Sequence, residues 1–563
     1  MASESDIYSE LNKVSNDEFE KIMTIVPVET LLDVTIQKDI KQYKSKIDEN
    51  NFIVEDKSGN EHNVYVKYIT LVDFLKFLIG KYKNDNLSIM PCSDTLNEDS
   101  GNYEKYINTI NNYAYVDSFF YYLTNVIKKK FNFVHGIHCY DQFVCQKKNC
   151  QVNISDDLEY LCETNYFIEN MGKQFCFEDS NHTEIFKRVQ EECLNIDYSN
   201  EELSIAFDDI NGELPQEGCC ENDKTYTHEQ DEQMIDVLDQ ELTDGECLVM
   251  KSNQEDDSES EGEEDDSESE GEEDDSESEG EEDDSESEQE EDDSESEQED
   301  GESDEDDESE DEMILKINKI PTQVVVMEKC DKTLDSLLDQ GHIKIEELES
   351  AICQIVITLF VYQKLFGFTH NDLHTNNVMY VSTDIPFLVY KIMGKTYKIP
   401  TFGKIYKIID FGRSIYNYKD TLLCSDSFSQ NGTAHTQYNF GPFFNPEKKQ
   451  IKPNKSFDLC RLACSIFDFI CDDIKQIDEY RNIAPVYDLI FSWLYDDKNR
   501  NILYKSNGDD KYPGFKLYKM ISRIVHNHLP ENQFNHKVFE KFRVENFESE
   551  NGVSEMDIDS MSY

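Results

Sequence analysis

Two acids and an amide in the C-terminal half of the chain have the residue types and spacing of a magnesium and nucleotide site. Asp372 lies within the polar segment 370–377, Asn377 ends that segment, and Asp410 opens a later Asp-Phe-Gly sequence. Phosphoryl transfer needs metal ions across the phosphates and a carboxylate that orients the attacking hydroxyl, and it needs little covalent chemistry from the protein. The pattern therefore predicts a site where Mg²⁺ and a nucleoside triphosphate lie beside an acceptor hydroxyl.

Short apolar runs on both sides of these motifs predict the strands that would position them. Residues 378–381 and 406–409 are rich in β-branched and aromatic types, which favour strands. Asp410 then comes at the end of a strand, where its side chain would face a cleft. Residues 387–390 and 396–399, joined around Gly394, predict an added hairpin between the two motifs.

A long helix is predicted directly before the first motif. Its apolar residues recur at helical spacing, which places them on one face. They are Leu348, Ile352, Ile355, Val356 and Leu359.

The order of these motifs resembles the protein kinase superfamily, and within it the serine/threonine kinases of giant DNA viruses (mimivirus-like). Three segments carry the resemblance: Asp-Leu-His at 372–374, Ile-Ile-Asp-Phe-Gly-Arg at 408–413 and Phe-Asp-Leu-Cys-Arg-Leu at 457–462. The likeness covers about 315–545 well and the N-terminal part loosely. It implies an α+β, two-lobed protein-kinase-like fold, with a small β-rich N-lobe and a larger helical C-lobe.

The resemblance implies transfer of the γ-phosphoryl group of ATP to a serine or threonine hydroxyl of a protein substrate. Asp372 would be the catalytic base, while Asn377 and Asp410 would hold Mg²⁺. Asp458 would hold the backbone of the catalytic loop. The remaining structural residues of the two motifs are His370, Phe411 and Gly412.

The same resemblance implies an ATP site that includes parts of the N-terminal region. Val64-x-Val66-Lys67 is similar to the strand that carries the phosphate-pairing lysine, and Glu328 to Cys330 would form the hinge beside the adenine. The helix predicted at 115–130 contains no Glu, so Asp117, its only acid, is the candidate partner of Lys67. The alternatives are a solvent-facing strand lysine and a solvated Asp at a helix start.

Three departures from the kinase pattern keep other functions open. Gly59 is the only glycine before Lys67, so no glycine-rich loop is recognisable. Asn371 stands where many kinases have Arg. His374 stands where serine/threonine kinases have Lys; it would donate a hydrogen bond to the phosphoryl group or pack locally. One alternative is a catalytically weak or silent pseudokinase scaffold, and a second is a small-molecule kinase of the aminoglycoside or choline type.

Most of the chain's excess charge is concentrated in one repeat. The formal net charge is −69, and residues 255–312 contain 40 Asp or Glu and no Lys or Arg. Asp256, Asp265 and Asp274 mark its nine-residue period. Like charges repel and nothing in the repeat can be buried, which predicts a disordered insertion in the N-lobe. It is interpreted as a solubilising spacer or as a docking segment for basic partners, and the charge argues against nucleic acid and anionic membranes.

The remaining composition predicts an intracellular protein, in host cytoplasm or virion if viral. The 16 cysteines contain no Cys-x-x-Cys pair, and neither a signal peptide nor a membrane span is apparent. The predicted boundaries follow the resemblance. They are an N-terminal extension at 1–40, the first part of the N-lobe at 41–150, a partly folded insertion at 151–254, the acidic repeat at 255–312, the last N-lobe strand and hinge at 313–330, the C-lobe at 331–545 and a flexible tail at 546–563.

Overall fold

The computed structural model describes residues 19–23, 27–91, 101–177, 179–195, 313–471, 473–505, 508–545 and 555–563. The chain divides into two units, one comprising 1–196 and 310–563 and the other 197–309, and all described residues belong to the first. That unit is mixed α and β, with an antiparallel sheet and many helices. The predicted disorder of the acidic repeat lies outside the described residues.

Sixteen strands are described, and the largest sheet has seven of them in the order β1-β5-β7-β4-β3-β2, with β6 paired to β7. Every pairing in that sheet is antiparallel. The strands are β1 Phe19–Met23, β2 Ile40–Lys46, β3 Asn51–Asp56, β4 Glu61–Thr70, β5 Cys139–Asn153, β6 Phe175–Phe177, β7 Ile314–Glu328, β8 Lys332–Thr333, β9 Val378–Ser382, β10 Phe387–Ile392, β11 Lys395–Pro400, β12 Lys404–Ile408, β13 Ile415–Tyr418, β14 Thr421–Cys424, β15 Arg543–Val544 and β16 Glu555–Asp557.

Fifteen α-helices are described, and the two longest come before the site in sequence. Short 3-10 turns occur as well, one of them at Thr375–Asn377. The helices are α1 Pro27–Leu32, α2 Phe74–Leu78, α3 Asn102–Ile107, α4 Tyr113–Phe131, α5 Leu158–Glu163, α6 Asn165–Asn170, α7 Ser180–Asn195, α8 Leu334–Asp339, α9 Ile345–Phe366, α10 Phe457–Ile470, α11 Ile477–Ile483, α12 Pro485–Ser492, α13 Phe515–Ile524, α14 Pro530–Gln533 and α15 Lys537–Phe542.

Central strands β4 and β7 position the N-terminal part of the site. Lys67 of β4 pairs with Val325 of β7 in an antiparallel register. Side chains alternate along a strand, so Val64 and Val66 enter the sheet's apolar core while Lys67 lies on the opposite face. The predicted strand lysine is therefore on a rigid central strand.

The helical half of the unit is built around α9. All five apolar residues predicted to share a face of this helix are buried, and the burial extends around most of its circumference. Gly367 ends the helix in a left-handed conformation with φ of 60°, which glycine adopts without steric cost. The chain then runs directly into the motif at 370–377.

The predicted strands and hairpin between the two motifs are confirmed. β9 and β12 pair with each other, bringing Val378 opposite Ile408. β10 and β11 form the added hairpin, which also pairs with β15 and β16. The two motifs are thus attached to adjacent strands, although Asp372 and Asp410 are 38 positions apart in the sequence.

Both predicted terminal segments contribute strands to sheets. β1, in the segment predicted as an extension, pairs with β5 and buries Phe19 in the sheet core. The prediction of a flexible tail is wrong for 555–563, because β16 pairs with β10 and Met556 is buried. The apolar residues of this segment are spaced too sparsely among acids to signal packing in the sequence.

The acidic repeat is inserted between two neighbouring strands of one sheet. Asn153, at the end of β5, pairs with Ile314, at the start of β7. The predicted fold of 151–254 is described up to Asn195, where α5, α6, β6 and α7 are found. Its first part is a 3-10 turn followed by two short helices.

Among the helices within the described residues, none combines the length and apolar character that crossing a membrane requires.

Candidate active site

Lys67 connects the sheet to both of its predicted neighbours. Its ammonium lies 2.8 Å from Asp117 Oδ2 on α4 and 3.0 Å from Asp410 Oδ1. Burial disfavours the charged ammonium, but the two carboxylates raise the pKa of Lys67 well above its usual value. Burial raises the pKa of Asp117 to about 6, against the effect of Lys67. The predicted pair of Lys67 with Asp117 is therefore present, with Asp in place of the Glu that α4 lacks.

The backbone of Asp410 is fixed by its surroundings, while its carboxylate is about half exposed. Its φ of 62° is a left-handed conformation that a non-glycine residue adopts only when its surroundings fix it. Its N–H donates to Tyr121 Oη at 2.9 Å, and the Gly412 N–H bonds to the carboxylate. The side chain remains 52% exposed. Lys67 lowers the pKa of Asp410 to about 2, which keeps it ionised for a cation.

Phe411 anchors this segment in the core and also connects it to α4. The side chain is fully buried, and its ring centroid lies 4.6 Å from that of Phe120 and 4.8 Å from that of Tyr121. The Phe411 N–H donates to Asp117 Oδ1 at 2.6 Å. Asp117 therefore accepts from both Lys67 and Phe411, so one carboxylate fixes Lys67 relative to the segment 410–412.

Asp458 hydrogen-bonds to the backbone of the segment 370–377. Its two carboxylate oxygens accept hydrogen bonds from the N–H groups of His370 and Asn371, both at 2.9 Å. Asp458 lies in the first turn of α10 and is fully buried. Burial raises its pKa to about 7, although the two N–H groups favour the ionised form.

Asn371 has a packing role in the position where many kinases have Arg. It is buried with φ of 64°, and its amide donates to the carbonyl oxygens of Thr369 and Arg413. Its Oδ1 accepts a hydrogen bond from Tyr438 at 2.8 Å. The side chain thus ties the motif to the segment 413–455 through neutral contacts.

Ile409 brings the two motifs together. Its N–H donates to the Asn377 carbonyl at 3.0 Å, and its carbonyl accepts from His370 Nε2 at 2.9 Å. Asp410 is the next residue, so its carboxylate begins one peptide away from contacts with both ends of the segment 370–377. Burial lowers the pKa of His370, consistent with a neutral ring that donates through Nε2.

The amide of Asn377 is oriented so that its oxygen would be available to Mg²⁺. Its Nδ2 donates to the Asp372 carbonyl at 2.9 Å, which turns Oδ1 away from the loop. Within the described residues, Oδ1 accepts no hydrogen bond, so an oxygen is left for a hard cation. No group of three or more His, Cys, Asp or Glu in the described ranges could hold a metal. An amide and one carboxylate supplemented by phosphates are nevertheless sufficient for Mg²⁺.

His374 makes a local contact, the second of the two alternatives predicted for it. Its Nε2 accepts from Asn377 Nδ2 at 3.1 Å, so this nitrogen supports the amide. Burial lowers the pKa of His374, which favours the neutral ring. Donation to a phosphoryl group would have to come from Nδ1, and that role stays a prediction.

Asp372 is surrounded by three side chains that the sequence motifs do not predict. Oδ1 accepts from Tyr518 Oη at 2.8 Å, and Oδ2 lies 3.5 Å from the guanidinium of Arg413. Arg461 Nε donates to the same tyrosine oxygen at 3.0 Å. Arg413 and Arg461 were present in the quoted motifs without a role, whereas Tyr518, on α13, had no motif to signal it.

The predicted hinge residues Glu328 and Cys330 differ in whether their backbone groups are already hydrogen-bonded. Glu328 accepts from Lys407 at 2.7 Å and from Lys128 at 2.9 Å, and its N–H donates to the His138 carbonyl. Burial acts to raise the pKa of Glu328, but the two lysines lower it to about 2. The N–H of Glu328 is therefore engaged. The backbone of Cys330 makes no hydrogen bond within the described residues and remains the hinge group open to an adenine.

The turn between β2 and β3 replaces a glycine-rich loop with acids. Asp48 accepts from the N–H groups of Asn50 and Asn51, and Glu49 pairs with Lys147 at 2.8 Å. The turn at 47–50 is thus closed by Asp48, while Glu49 pairs with Lys46 and Lys147. Tyr65, on the adjacent strand β4, is 38% exposed.

No protein-family model matches the chain, and the search of curated proteins found no match.

Proposed function

We propose that the protein is an ATP-dependent serine/threonine protein kinase with a two-lobed kinase fold. The observation that carries the proposal is the pair of hydrogen bonds from Ile409 to Asn377 and His370. These bonds attach the residue before Asp410 to the segment that carries Asp372 and Asn377, and Lys67 of the seven-stranded sheet contacts Asp410. This is the set of groups that phosphoryl transfer requires.

The roles follow from the chemistry of each side chain. Asn377 Oδ1 and the Asp410 carboxylate would hold Mg²⁺, which neutralises charge on the phosphates when bound. Lys67 would pair with the phosphates while Asp117 keeps it in position. Asp372 would orient the acceptor hydroxyl and accept its proton.

Nucleotide binding is the first test, because it needs no substrate. We expect Mg²⁺ with ATP to raise the melting temperature of the full chain, and ATP without Mg²⁺ to raise it less. Asp410→Ala should abolish the Mg²⁺-dependent part. Lys498→Glu, at an exposed position outside the site, is the matched control. An unchanged melting temperature at millimolar nucleotide would contradict the proposal.

Transfer itself is tested with labelled ATP and protein acceptors. Asp372→Asn preserves shape but removes the base, so it should lose incorporation while retaining the Mg²⁺·ATP thermal shift. Supplying sugars, choline and aminoglycosides in the same assay distinguishes a protein kinase from a small-molecule kinase. Label that appears only on such a small molecule would favour the latter.

A catalytically silent scaffold is the second candidate, and the turn at 47–50 favours it. Asp48 and Glu49 lie in the β2–β3 turn, where the kinase resemblance would place a glycine-rich loop that supplies N–H groups to phosphates. Replacing Asp48 and Glu49 by glycine should increase ATP affinity if nucleotide binding is the weak step. If neither form binds ATP, the scaffold is the better description.

A further inference from the structure

Basic side chains are concentrated in a segment that packs against α13, the helix whose Tyr518 bonds to Asp372, although the chain has a net charge of −69. The stretch 448–455 contains four lysines, and Lys452 and Lys455 are exposed. Helix α13 adds further cations, and it packs against the same segment. Asn454 Nδ2 donates to the Val525 carbonyl at 2.6 Å, and Arg523 Nη2 donates to the Thr436 carbonyl at 2.8 Å.

Two guanidinium groups lie directly beside the proposed base. Arg413 and Arg461 are 5.8 and 5.2 Å from the ring centroid of Tyr518, whose hydroxyl bonds to Asp372. The two arginines therefore place two positive charges near the Asp372 carboxylate. In the part of the chain that the structure describes, the Nη groups of Arg461 make no hydrogen bond or ion pair. They remain free to bind an anionic group.

Guanidinium groups and carboxylates make strong, bidentate hydrogen bonds. A lysine-rich surface beside them attracts acidic segments over a longer range and raises their local concentration. Few binding partners satisfy both features as well as a peptide with a hydroxyl flanked by several acids. The chain itself contains such a sequence, Glu-Asp-Asp-Ser-Glu-Ser-Glu, repeated in 255–312.

We propose that the acceptor is a serine within an acidic segment, and that the serines of the 255–312 repeat are themselves acceptors. This inference rests on the proposed kinase function. In the step, the serine Oγ forms a bond to the γ-phosphorus of ATP as the bond from that phosphorus to the β–γ bridging oxygen breaks. Asp372 takes the hydroxyl proton, and ADP leaves. Arg461 and the lysines of 448–455 bind the flanking carboxylates.

Matched peptides test the proposal with the full-length protein. One peptide has the sequence of residues 254–266, and its partner has every Asp and Glu replaced by Asn and Gln. We expect kcat/KM for the acidic peptide to be at least about tenfold higher at low salt. Raising the ionic strength should reduce that ratio, since exposed charges are screened. Equal rates for the two peptides would overturn the inference.

Reversing the charges at 452 and 455 tests whether the lysines of 448–455 bind the acidic peptide. The double variant Lys452→Glu/Lys455→Glu should raise KM for the acidic peptide severalfold and leave ATP affinity and the rate on the neutral peptide unchanged. Lys537→Glu, exposed on α15, is the control with the same type of charge change. Equal effects of both changes would show that net charge alone acts, and that result would overturn the assignment to this surface.

Phosphate mapping of the protein's own repeat completes the test. After incubation with Mg²⁺ and ATP, we expect phosphoserine in 255–312, and none in Asp372→Asn. Transfer to the neutral peptide without transfer to the repeat or to the acidic peptide would refute the inference and leave the kinase proposal standing. Absence of Asp372-dependent transfer to every acceptor, together with absence of an ATP thermal shift, would refute both.

Discussion

The hydroxyl of Tyr518 donates a hydrogen bond to Asp372 Oδ1 across 2.8 Å, joining α13 to the segment 370–377. The two residues are separated by 146 positions in the sequence. Arg413 lies near the second oxygen, so both oxygens of the proposed base already have a partner. In the proposed reaction, an acceptor hydroxyl would approach a carboxylate oxygen that already accepts from Tyr518.

Replacing Tyr518 with Phe should increase phosphoryl transfer at subsaturating acceptor. The change removes one hydrogen bond, which contributes about 1 kcal/mol, and frees Asp372 Oδ1 for the acceptor. We expect kcat/KM to rise about fivefold, as measured by initial rates with the acidic peptide. The thermal midpoint of the variant serves as the folding control. A fall in rate at an unchanged midpoint would instead make Tyr518 a positioning residue for the base.

Removing Lys67 should destabilise the fold even without nucleotide. Lys67→Met leaves the Asp117 carboxylate, which is 1% exposed, without its cation. We expect a loss of about 3 kcal/mol in the free energy of unfolding, measured by urea denaturation. The double variant Lys67→Met/Asp117→Asn should recover part of this loss, because no buried charge then remains unpaired. Additive losses in the double variant would show that the two side chains are not coupled.

The pH dependence of stability should reveal Asp458. Burial raises its pKa to about 7 in the folded protein, above the value of about 3.9 in an unfolded chain. A raised folded-state pKa gives a stabilising contribution that is complete below pH about 4 and is lost as the pH rises to about 7. Relative to Asp458→Asn, the wild type should lose up to about 1.4 kcal/mol per pH unit between pH 5 and 7. Parallel urea-denaturation curves for the two proteins across this range would contradict this.

Deleting 555–563 should destabilise the helical half of the unit. Met556, Ile558 and Met561 are buried, and Lys364 donates to the Ile558 carbonyl. Each buried apolar side chain contributes roughly 1.5–3 kcal/mol, so we expect a loss of at least about 3 kcal/mol. Thermal unfolding of the truncated chain measures it, with Ser562→Ala as a control that retains the strand. An unchanged midpoint would mean that this segment only rests on the surface.

Local patterns in the sequence were sufficient for the parts of the site that lie on regular elements. Alternation along β4 placed Lys67 on one face, and apolar spacing defined α9 before the motif. The absence of Glu from α4 led to Asp117, which indeed contacts Lys67. These features depend on periods of about two and 3.6 residues, which can be read in any short window.

Contacts between distant segments had no comparable signal. Tyr518 reaches Asp372 only because α13 packs against the segment 413–455, and no spacing rule connects them. The tail was predicted flexible from its acids, while three sparsely spaced apolar side chains bury it. Glu328 was predicted to serve the adenine, but its engagement by Lys407 and Lys128 depends on β12 and α4, which are far apart in the sequence.

Asn153 pairs with Ile314, so the strands on either side of the long stretch 154–313 are neighbours in the sheet. Closing a flexible loop costs free energy only with the logarithm of its length, about 0.6 kcal/mol for each doubling. Copies of the nine-residue unit can therefore be gained or lost through slippage of the encoding gene with little penalty to folding. The number of serines in the repeat can therefore change with little effect on the folding of the strands that flank it.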